Sequence, residues 1–189
     1  MTVVVIGASW GGLYALMELL GALPTDFPCP IAVVQHRSHE DTDTRRLAKV
    51  LGRYSALPVA DAEERAELEP ARVYLAPADY HLLIERAHFE LTVDELVQYS
   101  RPSIDVLFES AANAYGSRVI AVLLTGFGRD GTAGMKAVRD AGGTTIAEDP
   151  ESAMQAAMPQ NAIAAGAVDE VLALDAIAPR LIELAKVAA

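Results

Sequence analysis

Cysteine is almost missing from this 189-residue chain: the single Cys29 excludes an internal disulfide and fits a reducing compartment. It reads as a small core or loop residue. Long hydrophobic runs are missing as well. No stretch supplies the ~20 uninterrupted apolar residues of a membrane span, and the N-terminus lacks the basic region of a signal peptide. Direct membrane insertion is therefore not expected, and a cytoplasmic location is. Basic residues are scarce, 15 Lys and Arg against 26 Asp and Glu, for a net charge of −11. That balance opposes phosphate backbones and anionic lipid, so nucleic acid is not an expected partner. The acidic excess is dispersed apart from DAEERAELEP (61–70), which reads as a solvated loop or edge.

What is present fits one domain spanning residues 1–189, long enough to bury roughly 70% of its unfolded surface without staples. The apolar runs VVVI (3–6), IAVVQ (31–35), VYLA (73–76) and VIAVLLT (119–125) are continuous, as suits strands covered on both faces. Helical patterns separate them. RRLAKVLGRY places Leu47, Val50, Leu51 and Tyr54 on one face, and SIDVLFESAANAYG has Ser103 as N-cap and Gly116 as stop. HLLIE (81–85) and HFELTV (88–93) form an antiparallel hairpin pattern. The later chain reads as a strand TTIAE (144–148), a short helix opened by Ser152 and halted near Pro159, a strand near AVDEVL and a final helix around PRLIELAKVA. The predicted fold class is α/β: three-layer, doubly wound, a mainly parallel sheet with an antiparallel hairpin extending one edge.

Chemistry concentrates at the ends of three strands. GASWGG (7–12) joins VVVI to a helical stretch and has the form G-x-S-x-G, in which a strained strand-to-helix turn lifts a serine hydroxyl, Ser9, above a sheet. A backbone N–H at the helix start is a candidate for an oxyanion. The competing reading is a dinucleotide loop, G-x-G-x-x-G. It fails twice: Ser9 replaces the middle glycine that admits the pyrophosphate, and the second strand ends in Gln35 and His36 instead of a ribose-binding acid.

His36 follows the second strand and Asp130 lies in LTGFGRDG (124–131) after VIAVLL, so both reach the rim that carries Ser9. Each has a plainer alternative, a strand-end histidine bonded to a loop and an N-cap of the next helix. Glycines 126, 128 and 131 leave that loop free to aim N–H groups at an oxyanion. A Ser, a His and an Asp from three strand ends are the constellation for acyl transfer. Their order, Ser–His–Asp, differs from that of the α/β-hydrolase fold, which implies another scaffold. His36 and His39 also form H-x-x-H beside Glu40 and Asp41, but a metal site competes poorly with the triad. His81 reads as structural and His88 as an exposed hairpin residue, while Arg101 and Ser103 receive no chemical role.

Over nearly its whole length the chain resembles the catalytic domain of the CheB family, the chemotaxis protein-glutamate methylesterases. The blocks that carry the resemblance are GASWGG, VVQH, APADYHLLIE, RPSIDVLFESAA, LTGFGRDGTAGM, AEDPESAMQAAMP and GAVDEVLALDAIAPRL. It implies Ser9 as nucleophile, His36 as general base and acid, and Asp130 as the residue that orients the imidazole. It also implies a methylated chemoreceptor cytoplasmic domain as partner, deamidation of receptor glutamines as a related reaction, and no metal or organic cofactor. The other expectation kept open is a catalytically weak adaptor that binds receptor helices or a signalling partner. Trp10, Arg37, Ser38 and Phe127 depart from the family's usual residues around the site, which bears on substrate choice. No receiver domain, the family's common regulatory partner, is expected within these residues.

Overall fold

The structure is a computed structural model that describes residues 1–37 and 44–187. In chain order the elements are β1 (Val3–Ala8), α1 (Gly12–Gly21), β2 (Ile31–Gln35), α2 (Thr44–Leu51), β3 (Val59–Asp61), β4 (Val73–Leu75), β5 (His81–Ile84), β6 (Phe89–Thr92), α3 (Ile104–Tyr115), β7 (Val119–Leu123), α4 (Thr132–Asp140), β8 (Thr144–Glu148), α5 (Ala157–Ala164), β9 (Glu170–Leu172) and α6 (Leu174–Val187). A single 3-10 turn, Gly116–Arg118, leads from α3 into β7. Seven strands form one parallel sheet in the order β3-β4-β2-β1-β7-β8-β9. The apolar runs are continuous because both faces of the central strands are covered. Val4, Ile6, Ile31, Val33, Ile120 and Val122 pack with α1, α2 and α6, and the alternating Val3, Val5, Ala32, Val34, Ala121 and Leu123 pack with α3, α4 and α5. Cys29 is buried and free. No helix among the described residues is long and apolar enough to cross a membrane.

Several expectations are corrected in detail. The hairpin exists, but β5 and β6 make their own two-stranded sheet and do not extend the main one. That edge belongs to β3, a three-residue strand with half-exposed ends that carries no apolar run in the sequence. Leu82, Ile84 and Phe89 of the hairpin instead bury with α3, where Ser110 Oγ accepts the Ile84 N–H at 3.0 Å. The helix expected from Ser152 to Pro159 is displaced: α5 begins at Ala157, and Pro159 sits in its first turn, where no intrahelical N–H is needed. Ser152 lies in the preceding turn, bonded to Asp149. The last helix starts at Leu174, five residues before Pro179, because Leu174, Ile177 and Ala178 continue its buried stripe through the proline. α2 ends at Leu51, leaving Tyr54 exposed in a turn. The acidic stretch 61–70 is mostly exposed and anchored by the buried Ala62 and Leu68.

The contact between α3 and α4 brings the starts of these two helices together. It is close because Gly134 has no side chain: a Cβ there would lie 2.5 Å from Phe108 Cβ and 3.1 Å from the Asp105 backbone. Gly134→Val is expected to push the two helices apart and lower unfolding free energy by about 2 kcal/mol, measured by urea titration of wild type and variant.

Candidate active site

β1 is the strand from which the strand order runs outward both ways, to β2 on one side and β7 on the other. Open α/β sheets bind ligands beyond the carboxyl ends at such a point. Ser9 follows β1, His36 follows β2, and Asp130 ends the loop after β7. The strand ends are locked together: Ser9 N–H donates to Thr125 O at 3.0 Å and His36 N–H to Ala8 O at 2.9 Å. Gln35, the residue that failed as a ribose-binding acid, donates from Nε2 to Ser9 O at 2.8 Å and to His36 O at 2.9 Å. Ser9 itself is not left-handed. The positive φ of the turn falls on Gly11, at 81°, so the strained serine of a nucleophile elbow is not what exposes this hydroxyl.

The three side chains expected to meet do meet. His36 Nδ1 lies 3.2 Å from Ser9 Oγ, and His36 Nε2 lies 2.7 Å from Asp130 Oδ2. Strand order explains which nitrogen faces which partner. A side chain leaving the end of β2 crosses over β1 before reaching the loop after β7. The ring nitrogen nearer the backbone therefore meets Ser9, and the farther one meets Asp130. A proton on Nε2, donated to the carboxylate, leaves the Nδ1 lone pair for the serine hydroxyl.

Asp130 is 2% exposed and does not cap the helix that comes after it; the N-cap of α4 is Gly131, without a side-chain bond. Its carboxylate instead crosses to the start of α3. Oδ1 accepts from Ser103 Oγ at 2.9 Å, Asp105 N–H at 2.9 Å and Gly131 N–H at 3.0 Å, and Oδ2 accepts from Ile104 N–H at 2.8 Å. Asp105 returns the exchange, its Oδ1 accepting the Gly134 N–H of α4 at 2.8 Å. Burial works to raise the Asp130 pKa. The hydrogen bond and charge of His36, with the N–H groups of Asp105 and Ile104, outweigh it and hold the carboxyl below the usual range. Asp105 goes the other way: burial, with the charges of Asp130 and Glu109, pushes it up to about 6 despite the Gly134 bond.

Ser103 was legible as an N-cap, and it accepts the Val106 N–H at 3.5 Å, but its hold on Asp130 was not. A second Ser, His and Asp thus lie close together. Here, however, His81 Nδ1 accepts the Ser103 backbone N–H at 3.2 Å, not its hydroxyl, and Nε2 donates to Glu95 O at 3.0 Å. His81 is 1% exposed and both its ring nitrogens are bonded to backbone, as suits the structural role expected of it. His88 sits on the hairpin turn, half-exposed, against Arg65 and Glu90. His39, Glu40 and Asp41 lie outside the described residues. Glu148 at the end of β8 also escaped notice: buried, its pKa raised by that burial, it accepts the Thr125 N–H at 2.8 Å. Thr125 Oγ1 in turn donates to Trp10 O at 2.9 Å.

Most of the expected oxyanion donors are already committed; Gly128 N–H is the exception, with no backbone bond among the described residues. Gly12 N–H at the start of α1 bonds Ser9 O at 2.9 Å, and in the glycine loop Gly126 N–H bonds Gln155 O and Gly131 N–H bonds Asp130. The Trp10 and Phe127 N–H groups make no backbone bond among the described residues. Above them an open groove of about 650 Å³ is lined by Ser9, Trp10, Tyr14, Met17, His36 and Phe127, among others. Trp10 and Phe127 are 64% and 57% exposed, with ring centroids 6.3 Å apart at 59°. They form one wall of the groove and leave Ser9 open to it.

Comparison with known proteins identifies the family. Residues 4–181 match the CheB methylesterase family. A Leptospira interrogans protein, provisionally named protein-glutamate methylesterase/protein-glutamine glutaminase, is 43% identical over 183 residues, covering 96% of this chain and 93% of the relative. A protein-glutamate methylesterase/protein-glutamine glutaminase of Anaeromyxobacter dehalogenans is 45% identical over 97% of this chain, which spans 53% of that longer protein. The crystal structure of the Thermotoga maritima CheB methylesterase catalytic domain superposes with a TM-score of 0.93 at 41% identity, covering 97% of this chain and 98% of that one.

The raised Asp105 pKa carries a signed consequence. Its proton is held more tightly in the folded state, so the stability this group contributes is complete below about pH 4 and is lost as pH rises through about 6. Asp105→Asn keeps an acceptor for Gly134 N–H without the charge. Relative to wild type, the variant is expected to gain stability between pH 4 and 6 and to hold a constant difference above about pH 7, read from urea midpoints across that range.

Proposed function

This chain belongs to the CheB methylesterase family, and from that premise we propose that it hydrolyses γ-glutamyl methyl esters on chemoreceptor cytoplasmic domains. The products are a glutamate side chain and methanol, and the setting is bacterial chemosensory adaptation in the cytoplasm. The observation that carries the reading is the hydrogen-bonded line from Ser9 Oγ through His36 to Asp130 at the floor of an open groove.

Ser9 attacks the ester carbonyl while His36 Nδ1 takes its proton. The imidazolium that forms keeps its Nε2–H on Asp130, which His36 itself and then the N–H groups of α3 hold ionised. Trp10 N–H, directly after the nucleophile, is the donor we assign to the developing oxyanion. Collapse expels methoxide, which takes the Nδ1 proton from His36 and leaves as methanol. Water then gives a proton to Nδ1 and attacks the acyl-enzyme, and Ser9 Oγ recovers that proton on departure. A receptor glutamine presents the same carbonyl with ammonia as leaving group, so deamidation takes the same path. These steps invoke no cofactor.

The test is methanol release from a methylated receptor fragment. Ser9→Ala is expected to lose about 10⁴-fold or more in kcat while still binding the fragment. Undiminished release by the variant would sink the mechanism, and a wild type that binds without release would favour an adaptor.

A further inference from the structure

The loop between β6 and α3 carries an aromatic residue for which neither the core nor the proposed chemistry has a use. Val97 and Ser100 face each other in an antiparallel bridge, with N–H to O distances of 3.2 and 2.9 Å, closing a tight turn over Gln98 and Tyr99. Both central residues are left-handed, with φ of 49° and 63°. Turns of this kind are normally built from Gly, Asn or Asp, because a larger side chain crowds the backbone at positive φ. Neither residue here is one of those. Such outliers persist where neighbouring contacts over-determine them, and the neighbour is Arg101. Its Nη1 donates to Val93 O and Asp94 O, each at 2.8 Å, and its Nε and Nη2 donate to Asp79 Oδ1 at 3.0 and 2.6 Å. The guanidinium pins the loop to the turn after β4.

The side chain presented by this strained turn is Tyr99, 93% exposed. A small cleft lined by His36, Arg37, Tyr99, Ser100, Arg101 and Pro102 joins the turn to the site. His36 and Arg37 also line the groove above Ser9, so the cleft and the groove lie on either side of the same two residues. Trp10 leads into α1 on one face of the sheet, and Tyr99 precedes α3 on the other. Exposed aromatic rings thus border His36 twice, Trp10 in the groove it shares with Ser9 and Tyr99 in the cleft.

We propose that Tyr99 is a specificity-determining contact for the protein substrate: its ring packs on the receptor segment that carries the ester, opposite Trp10 and Phe127. This rests on the functional reading above. A tyrosine suits the task, offering a large amphipathic surface with few torsions to immobilise. The ester group itself reacts within the groove, so only a substrate that continues beyond it as a chain reaches the ring. Tyr99 then acts on docking and leaves the chemistry at Ser9 untouched.

The experiment compares wild type, Tyr99→Ala and Tyr99→Phe on two substrates, a methylated receptor fragment and p-nitrophenyl acetate, which reports Ser9 chemistry alone. Tyr99→Ala is expected to lose about 10-fold in kcat/KM on the receptor, through KM, with p-nitrophenyl acetate turnover within about 2-fold of wild type. Tyr99→Phe is expected to retain receptor activity within about 3-fold. Unchanged receptor kcat/KM in Tyr99→Ala, or equal loss on both substrates, overturns the proposal and leaves the functional reading standing. A wild type that releases no methanol from the receptor overturns the functional reading, and the proposal with it.

Discussion

Two buried carboxylates exchanged between two helix starts hold this site together. Asp130, at the threshold of α4, accepts N–H groups from the first turn of α3, and Asp105, in that first turn, accepts an N–H from the first turn of α4. Each helix leaves N–H groups without intrahelical partners at its N-terminus, together with the positive end of its dipole. Here each helix satisfies part of that need with an acid from the other. The exchange requires the two starts to lie close, which the missing side chain at Gly134 permits. It also divides the labour between the acids. Asp130 gathers enough donors, His36 first among them, to stay ionised, whereas burial, with the Asp130 charge beside it, makes Asp105 hold its proton more tightly.

The geometry of His36 arises from that anchor and from the order of strands. With Asp130 fixed against α3, the imidazole must reach across β1 to meet it, and Ser9 lies on the way. Gln35, Thr125 and Glu148 support the three strand ends from below through backbone bonds. None of them touches the reacting atoms. They hold the backbone from which the serine projects, the service that a strained elbow performs on other scaffolds. A serine at the end of the first strand can thus face a groove without adopting a left-handed backbone.

Much of this was legible in the chain, and the failures have physical causes. The four continuous apolar runs marked buried strands because burial on both faces removes polar alternation. β3 escaped because it is three residues long at an edge, where one neighbour and partial exposure demand little of its side chains. The hairpin was visible as two strand-length segments separated by Arg86 and Ala87, but that pattern is the same whether it joins an edge or packs face-on against a helix. Only the occupation of the edge by β3 distinguishes the two. Pro159 and Pro179 misled for a shared reason. A proline forbids a particular hydrogen bond and not a helix, so it fits the first turn of α5 and is outweighed in α6 by a buried stripe that runs through it.

The sequence by itself determined the class of fold, the Ser9, His36 and Asp130 set and the family resemblance, because each depends on patterns local to one element: a strand run, a turn, a residue type at a strand end. Only the tertiary structure decided that Asp130 serves α3 and not its own helix, that Gln35 and Glu148 brace the site, and that Tyr99 stands beside it. Those are relations between segments far apart in the chain. They exist once parallel strands bring their carboxyl ends to one rim, and no local pattern encodes which loop will lie next to which.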